Sequence, residues 1–138
     1  LPLMAFRNIV ANKIPELFPE LRFGFIEAGA SWVPYVLHAL RSVFGGSPEQ
    51  WGPKLFQEYR LYTAYEEWED LPYLVQYVGE DHLVVGSDWG HHGGRGRGGD
   101  PSGQPEVFGN MRSRQDVLGT LVDKMLADNP SHFYGLVE

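Results

Sequence analysis

The chain of 138 residues has no cysteine. Disulfides and thiolate metal sites are therefore excluded, and a reducing compartment fits, so we expect a cytoplasmic protein. No apolar run approaches the ~20 residues that cross a bilayer. The opening segment carries Arg7, Asn8, Asn12 and Lys13, which is not the pattern of a signal peptide. We accordingly expect no membrane partner.

Basic residues are also scarce, with 11 Lys and Arg against 18 Asp and Glu, which gives a net charge of −7. A general nucleic-acid binder needs clustered Lys and Arg for phosphate contacts, so this balance argues against that class. Apolar material is plentiful, since 43% of the residues are hydrophobic and 14% are aromatic. Such a chain can build the core of one ordinary domain.

The hydrophobic pattern predicts helices that alternate with short strands. Alternation of this kind favours a parallel sheet with helices packed outside it. The predicted elements are a helix over 4–17 broken by Pro15 and Pro19, a strand over 21–26, a helix over 32–44, a connection over 45–60, a strand over 61–65, a helix over 71–78, a strand over 83–85, a helix over 113–127 and a short helix from Asn129.

Several single residues receive structural roles from this pattern. Ser31 and Asp70 are predicted N-caps of the helices that follow them. His38 lies off the apolar stripe of its helix, which indicates an exposed surface histidine. His82 stands at the amino end of its strand, so we expect it to be structural. The strands lack charges or prolines that protect an edge, and we expect the sheet to continue into another chain or a larger structure.

Polar side chains follow the apolar run Leu83–Val85 directly. Asp88 comes after Gly86 and Ser87, and His91 and His92 follow it. Ligands and metals are held at the carboxyl ends of parallel strands, so these side chains are candidates for metal binding or proton transfer. The alternative is that Asp88 caps the next turn while both histidines are solvated. Glu27 similarly follows the first strand, and its alternative is a basic partner or solvent.

The run 93–99 contains five glycines and two arginines. Such a composition cannot form a packed element, and it predicts a mobile loop. Two functional alternatives remain open. Backbone N–H groups and Arg side chains can close over an anion, or a short Arg-Gly-Gly segment can bind RNA.

Four groups of segments follow one another along the chain, namely Phe18–Arg22 with Phe25–Ala30, Glu66–Pro72 with Val78–Asp81, Leu83–Asp88, and Asp128–Pro130 with Phe133–Gly135. In this order, these segments resemble the amidohydrolase superfamily, in the branch of aminocarboxymuconate-semialdehyde decarboxylase and related metal-dependent hydrolases. They are similar to the sixth, seventh and eighth strands of that family's barrel and to its closing helix. A complete barrel has eight βα units and typically ~250 residues, so the expected α/β fold is the C-terminal portion of a (β/α)8 TIM barrel, with 1–138 as a single partial domain.

The resemblance implies a metal-dependent hydrolase or decarboxylase that acts on a small carboxylated or cyclic substrate. In that family the eighth-strand aspartate, here Asp88, binds the catalytic metal or deprotonates its water, because a divalent ion brings the pKa of bound water toward neutrality. The implied cofactor is a divalent metal ion, with zinc expected, and Glu27 is a further candidate ligand. The candidate substrate-binding residues are Trp32, Trp89, His91 and His92.

The sequence departs from the family at two places. Glu27 stands where many members have a histidine, and a carboxylate suits a harder metal. The first-strand His-x-His pair is absent, as is the fifth-strand histidine, and adjacent His91 and His92 cannot grip one ion from a strand. The expected partner is therefore a second copy or a missing N-terminal barrel part. A non-catalytic half-barrel used for assembly is the alternative to the enzyme.

Overall fold

The computed structural model describes residues 1–86 and 106–137. Three parallel strands form one sheet in the order β1-β2-β3. Phe23 lies opposite Leu61 and Thr63 lies opposite Leu83. This arrangement is the expected mixed α/β structure, and it is consistent with part of a barrel. The strands are β1 (Phe23–Phe25), β2 (Leu61–Tyr65) and β3 (Leu83–Val85).

Helices connect and flank the strands. Short α4 begins with Pro53 in its first turn, and a 3-10 turn (Pro48–Gln50) precedes it. One π-helical turn (Lys124–Asp128) joins α7 to α8. The helices are α1 (Pro2–Ala11), α2 (Ile14–Leu17), α3 (Val33–Phe44), α4 (Pro53–Tyr59), α5 (Leu71–Val78), α6 (Glu106–Arg112), α7 (Gly119–Asp123) and α8 (Asn129–Phe133).

Four predicted elements were wrong in extent. The strand over 21–26 is shorter than predicted, because only Phe23–Phe25 pair with β2. The helix over 4–17 is two helices, because Lys13 adopts a left-handed conformation with φ 55° and Pro15 starts a new first turn. The connection over 45–60 contains α4, whose Leu55 and Phe56 are buried. The helix over 113–127 begins only at 119. Residues 113–118 are not helical, and Leu118 is exposed.

The two predicted N-caps had opposite outcomes. Asp70 is confirmed, since its carboxylate accepts a hydrogen bond from the backbone N–H of Tyr73 at 3.0 Å. Ser31 is wrong as a cap, because α3 begins at Val33 after Trp32, with no side-chain cap. The backbone N–H of Ser31 instead donates to Glu69 at 2.6 Å. A carboxylate from a distant loop thus serves the start of α3.

The main core lies between one face of the sheet and helices α1, α3, α4, α5, α6 and α7. Burial of these apolar side chains is the main favourable term in the stability of such a layer. His38 is exposed on α3, as predicted, and its ring meets Tyr77 at 5.6 Å. The largest side chains buried in this core are Phe6, Leu37, Phe56, Leu61, Leu71, Leu74, Leu83, Met111 and Met125.

The opposite face of the sheet is covered by Phe133 of α8. Tyr62, Ala64 and Val84 form a small buried cluster on this face, and Phe133 packs against it. The rings of Tyr62 and Phe133 are 5.1 Å apart. A Cβ atom added at Gly24 would stand 2.3 Å from Cζ of Phe133, so only glycine leaves room for this ring.

Side chains at the amino end of the sheet hold the terminal helices in place. The buried Asn129 amide donates to the carbonyls of Glu80 and Leu83, each at 2.7 Å. Lys124 lies 2.8 Å from Asp81. His82 is buried here, as expected for a structural residue, and burial lowers its pKa while the Leu61 carbonyl opposes the shift. In the described part of the chain, no helix is long and apolar enough to cross a membrane.

Candidate functional site

The carboxyl ends of the strands meet at one edge of the sheet, as they must in a parallel arrangement. Glu27 follows β1 after Ile26, is exposed, and has a left-handed backbone with φ 58°. Glu66 and Glu67 follow β2 directly. Gly86 follows β3 and is the last described residue before the gap. This edge therefore carries acidic side chains from two neighbouring strands, and we call it the carboxylate rim.

The buried side chain of Glu69 connects the loops of the carboxylate rim through hydrogen bonds to their backbone. This side chain is only 5% exposed. Oε1 accepts hydrogen bonds from the N–H groups of Ala30 at 2.9 Å and Ser31 at 2.6 Å. Oε2 accepts from Ala30 at 3.0 Å and from Glu66 at 2.9 Å. Because backbone donors occupy both oxygens, Glu69 joins two loops and is not a candidate metal ligand.

Glycine and threonine complete this arrangement. Gly29 has φ +61°, and a Cβ atom there would stand 2.8 Å from Oε1 of Glu69. The hydroxyl of Thr63, fully buried in β2, donates to the Gly29 carbonyl at 3.1 Å. The loop after β1 is therefore fixed from below by Thr63 and from the side by Glu69. Residues 29–31 form a rigid wall of the carboxylate rim.

Tyr65 and Arg114 attach the segment after α6 to this rim. The Tyr65 hydroxyl donates to the Glu69 carbonyl at 3.0 Å and accepts from Arg114. The Arg114 guanidinium also donates two parallel hydrogen bonds to the Asp116 carboxylate, and the Nε–Oδ1 distance is 2.9 Å. Burial raises the pKa of Tyr65 to about 12 although Arg114 opposes the shift, so the phenol is neutral at pH 7. The Arg114 hydrogen bond lowers the pKa of Asp116.

Trp32 stands at the start of α3, below the rim. It is half-buried, and its indole N–H donates to the Gly29 carbonyl at 2.8 Å. Its ring lies 5.4 Å from Phe6 and 5.5 Å from Phe25, both with edge-on geometry. Trp32 thus packs on the main core next to the loop after β1. Its contact with a substrate stays a prediction.

The other predicted site residues fall in the gap. Asp88, Trp89, His91, His92 and the Gly/Arg run 93–99 all lie outside the described residues. Within residues 1–86 and 106–137, no three His, Asp or Glu side chains come together as a group that would hold a metal ion. Glu27 therefore has no complete ligand set among the described residues, and its metal role stays a prediction.

Sequence reasoning missed Glu69, Tyr65 and Arg114. Glu69 sits in the acidic stretch 66–70, where four of five residues are carboxylates and no spacing marks one of them as buried. Arg114 follows the gap and lay inside a predicted helix. No signal in the sequence marked the contact with Glu69, because Ser31 was predicted to cap the first N–H groups of the helix that follows.

The sequence matches no protein-family model and no curated protein. Its structure is similar to that of an amidohydrolase from Mycobacterium avium subsp. paratuberculosis, with a TM-score of 0.70 and 19% sequence identity. The likeness is one of fold. It covers 96% of this chain and 34% of that amidohydrolase, so the chain spans about a third of that protein's length.

Proposed function

We propose that this chain is the carboxyl-terminal part of an amidohydrolase-type barrel and takes part in hydrolysis or decarboxylation of a small carboxylated or cyclic substrate. The observation that carries the proposal is a three-stranded parallel sheet that superposes on a third of an amidohydrolase and keeps exposed acidic groups at its carboxyl edge. In barrel enzymes that edge is where chemistry takes place. The likeness of fold supports a hydrolase-type activity at the coarse level.

The proposed division of labour at the rim follows from burial. Backbone N–H donors occupy both carboxylate oxygens of Glu69, so we propose that Glu69 positions the loops after β1 and β2. Glu27 is exposed and available to a ligand. Asp88 comes three residues after β3 ends, and we propose it as the proton-handling carboxylate. The backbone of residues 29–31, held rigid by Glu69 and Thr63, would then orient the substrate against Trp32.

A divalent metal belongs to the proposal through the likeness to an amidohydrolase. When bound, such an ion supplies an activated water near neutral pH. The described residues do not by themselves make its site, because they bring no three ligands together. The remaining ligands are proposed to come from the segment around Asp88 and from a partner polypeptide that completes the barrel.

The need for a partner is supported by the sheet. Among the described residues, β1 and β3 each pair with β2 alone, which leaves one edge of each strand without a neighbour. Unpaired edges of this kind are normally covered in stable proteins. The proposed cover is an N-terminal barrel part or a second copy of this chain.

Metal binding and turnover test the proposal together. The chain, alone and mixed with a polypeptide carrying the preceding barrel strands, is dialysed against Zn²⁺ or Mn²⁺, and the bound metal is measured. Hydrolysis of a panel of lactones and cyclic amides is followed in parallel. Asp88→Asn should lower the turnover rate by at least about a hundredfold, the usual contribution of a general acid–base residue. Glu20→Gln, an exposed acidic residue outside the rim, is the matched control.

Two results would reject the enzymatic proposal. One is an assembled barrel that binds no divalent ion. The other is an Asp88→Asn variant that keeps the full turnover of the parent. In either case the second candidate, a non-catalytic half-barrel that serves assembly, is favoured by the open edges of β1 and β3. Light scattering of the pure chain then measures whether those edges associate.

A further inference from the structure

A cleft lies at the end of the sheet opposite the carboxylate rim. Helix α3 starts beside the carboxylate rim and runs for 12 residues, a distance of roughly 18 Å. Its last residue, Phe44, borders an open cleft of about 450 Å³. Clefts that bind small molecules usually measure ~300–1,000 Å³. We call it the amino-end cleft, and its lining residues are Val10, Ala11, Lys13, Phe44, Gly45, Gly46, Gln50, Trp51, Leu55 and Tyr59.

The walls of the amino-end cleft suit a flat ring. Phe44 and Trp51 stand with their ring centroids 6.3 Å apart and their planes only 24° from parallel. The buried side chains of Val10 and Leu55 form apolar surface behind them. A planar aromatic group can pack on these rings in the offset-stacked arrangement that aromatic side chains prefer.

Hydrogen bonds within the chain hold these walls in place. The indole N–H of Trp51 donates to the Gly45 carbonyl at 2.7 Å. The side-chain oxygen of Gln50 accepts from the N–H of Ser47 at 2.8 Å, within a capping box at the 3-10 turn. At Gly45, with φ +73°, an added Cβ would meet no atom within 4 Å, so this side of the cleft is open. A preformed cleft lowers the ordering cost of binding.

One cation stands at the mouth of the cleft. Among the lining residues, all of which are described, Lys13 alone carries a charge at pH 7, since burial and Glu16 raise the pKa of Tyr59 to about 12. The Lys13 ammonium lies 3.4 Å from Glu16, and both side chains are at least half exposed. Exposed pairs of this kind are weak and exchange partners easily. Glu16 also accepts from the Tyr59 hydroxyl at 2.7 Å, so it keeps a partner when Lys13 turns away.

From these observations we propose that the amino-end cleft binds a small planar aromatic carboxylate. The ring stacks on Phe44 and Trp51, and the carboxylate pairs with Lys13. The left-handed backbone of Lys13, with φ 55°, fits this assignment, because strained non-glycine residues concentrate at ligand sites. The cleft lies away from the carboxylate rim, so the proposal does not depend on the hydrolytic function.

The first test uses 2-naphthoate as the probe and 2-naphthamide as its neutral match. The full chain is labelled with ¹⁵N, and the indole N–H resonance of Trp51 is followed during titration. We expect a saturable shift with naphthoate and binding of naphthamide weaker by about threefold to fivefold, as for a partly exposed ion pair. Absence of a saturable shift at Trp51, or equal binding of both probes, would overturn the proposal. This comparison needs no variant.

Variants then locate the contacts. Lys13→Gln should weaken naphthoate binding to the level of naphthamide. Lys54→Gln is its control, because Lys54 is similarly exposed and paired with Glu58 at 3.6 Å but does not line the cleft. Phe44→Ala should weaken both probes. Val43→Ala, at a neighbouring exposed position outside the lining, should weaken neither.

Two further outcomes decide the matter. Each control is compared with its matched variant, Lys54→Gln with Lys13→Gln and Val43→Ala with Phe44→Ala. If a control lowers the affinity for naphthoate as much as its matched variant does, the binding is non-specific and the proposal is wrong. Asp88→Asn should leave naphthoate binding unchanged, since Asp88 belongs to the other proposed site. Loss of binding in that variant would place the probe at the rim and reject the amino-end cleft.

Discussion

The two ends of the sheet are formed by the same three strands, yet the polar side chains at the two ends have different roles. At the carboxyl end, Glu69 gathers the backbone of two loops while Glu27 stays exposed. At the amino end, Asn129 ties α8 to β3, and Phe133 fills the space above Gly24. In barrels the first end carries chemistry and the second carries stability. The difference shows that the loops of the carboxylate rim depend on a buried carboxylate of their own for support.

The largest expected effect is that of Glu69→Gln. The amide places a donor against the N–H groups of Ala30, Ser31 or Glu66, so the free energy of unfolding should fall by about 3 kcal/mol. Urea denaturation followed by circular dichroism measures it. The control is Glu67→Gln, since Glu67 is exposed and, among the described contacts, its carboxylate accepts only a surface bond from Asn110 at 2.8 Å. Equal losses in both variants would mean that Glu69 does not support the rim.

Gly24→Ala tests the amino end, with a loss of about 2 kcal/mol expected from overpacking. The new methyl group would collide with the Phe133 ring, 2.3 Å from its Cβ position. Phe133→Leu should recover part of that loss in the double variant, while the two single variants each destabilise. Gly109→Ala is the control, because nothing lies within 4 Å of that position in α6. Additive losses in the double variant would contradict the contact.

Asp70→Ala should lower the free energy of unfolding by about 1 kcal/mol, the usual value for a lost N-cap. Its carboxylate caps α5 next to Glu69 by accepting from Tyr73. Asp70→Asn keeps a side-chain oxygen that can accept the hydrogen bond, so it should lower the free energy of unfolding by only a few tenths of the loss expected for Asp70→Ala. Thermal or urea unfolding of the two variants provides the measurement. If Asn proves as harmful as Ala, charge rather than capping explains the role of Asp70.

The smallest effect is a pH dependence at the amino end. His82 is buried with Nδ1 lacking a partner among the described residues, and burial lowers its pKa from 6.5, against opposing effects of the Leu61 carbonyl and Asp81. At mildly acidic pH, His82 therefore binds more protons in the unfolded chain than in the folded one. The contribution of neutral His82 to the free energy of unfolding is complete above pH 6.5 and is lost as the pH falls through the folded pKa. Urea midpoints between pH 5 and 8 should show a slope that His82→Gln reduces and exposed His38→Gln leaves alone.

Much of the framework was predictable because it depends on local patterns. The apolar runs predicted β2 and β3 at their observed bounds, and the i, i+3, i+4 stripe predicted α3 and α5. The Asp70 cap was visible because its acceptor lies three residues from its donor. Val43 and Phe44 continue the apolar stripe of α3 in the sequence, but both side chains are exposed in the structure. Periodicity predicts which face of a helix is apolar, but it does not predict how much of that face is buried.

The candidate site was harder to predict than the framework. Glu69 meets Ala30 across 39 residues, and Arg114 meets Tyr65 across 49. No local spacing reports such contacts. Glu27 and Trp32 were recognised by their position after β1, and their proposed functions stay predictions. The segment that holds Asp88 lies in the gap, so its role depends on the experiments above.

The sequence by itself determined the alternation of strands and helices, the positions of β2, β3, α3 and α5, and the acidic balance that disfavours a general nucleic-acid binder, because these properties arise from neighbours in the chain. Only the tertiary structure decided which carboxylate is buried, which glycine receives the Phe133 ring, and where α1, α3 and α4 leave a cleft. The physical reason is that burial and hydrogen-bond partners depend on how distant segments meet. A carboxylate in a row of carboxylates becomes structural only when a second loop brings it backbone donors.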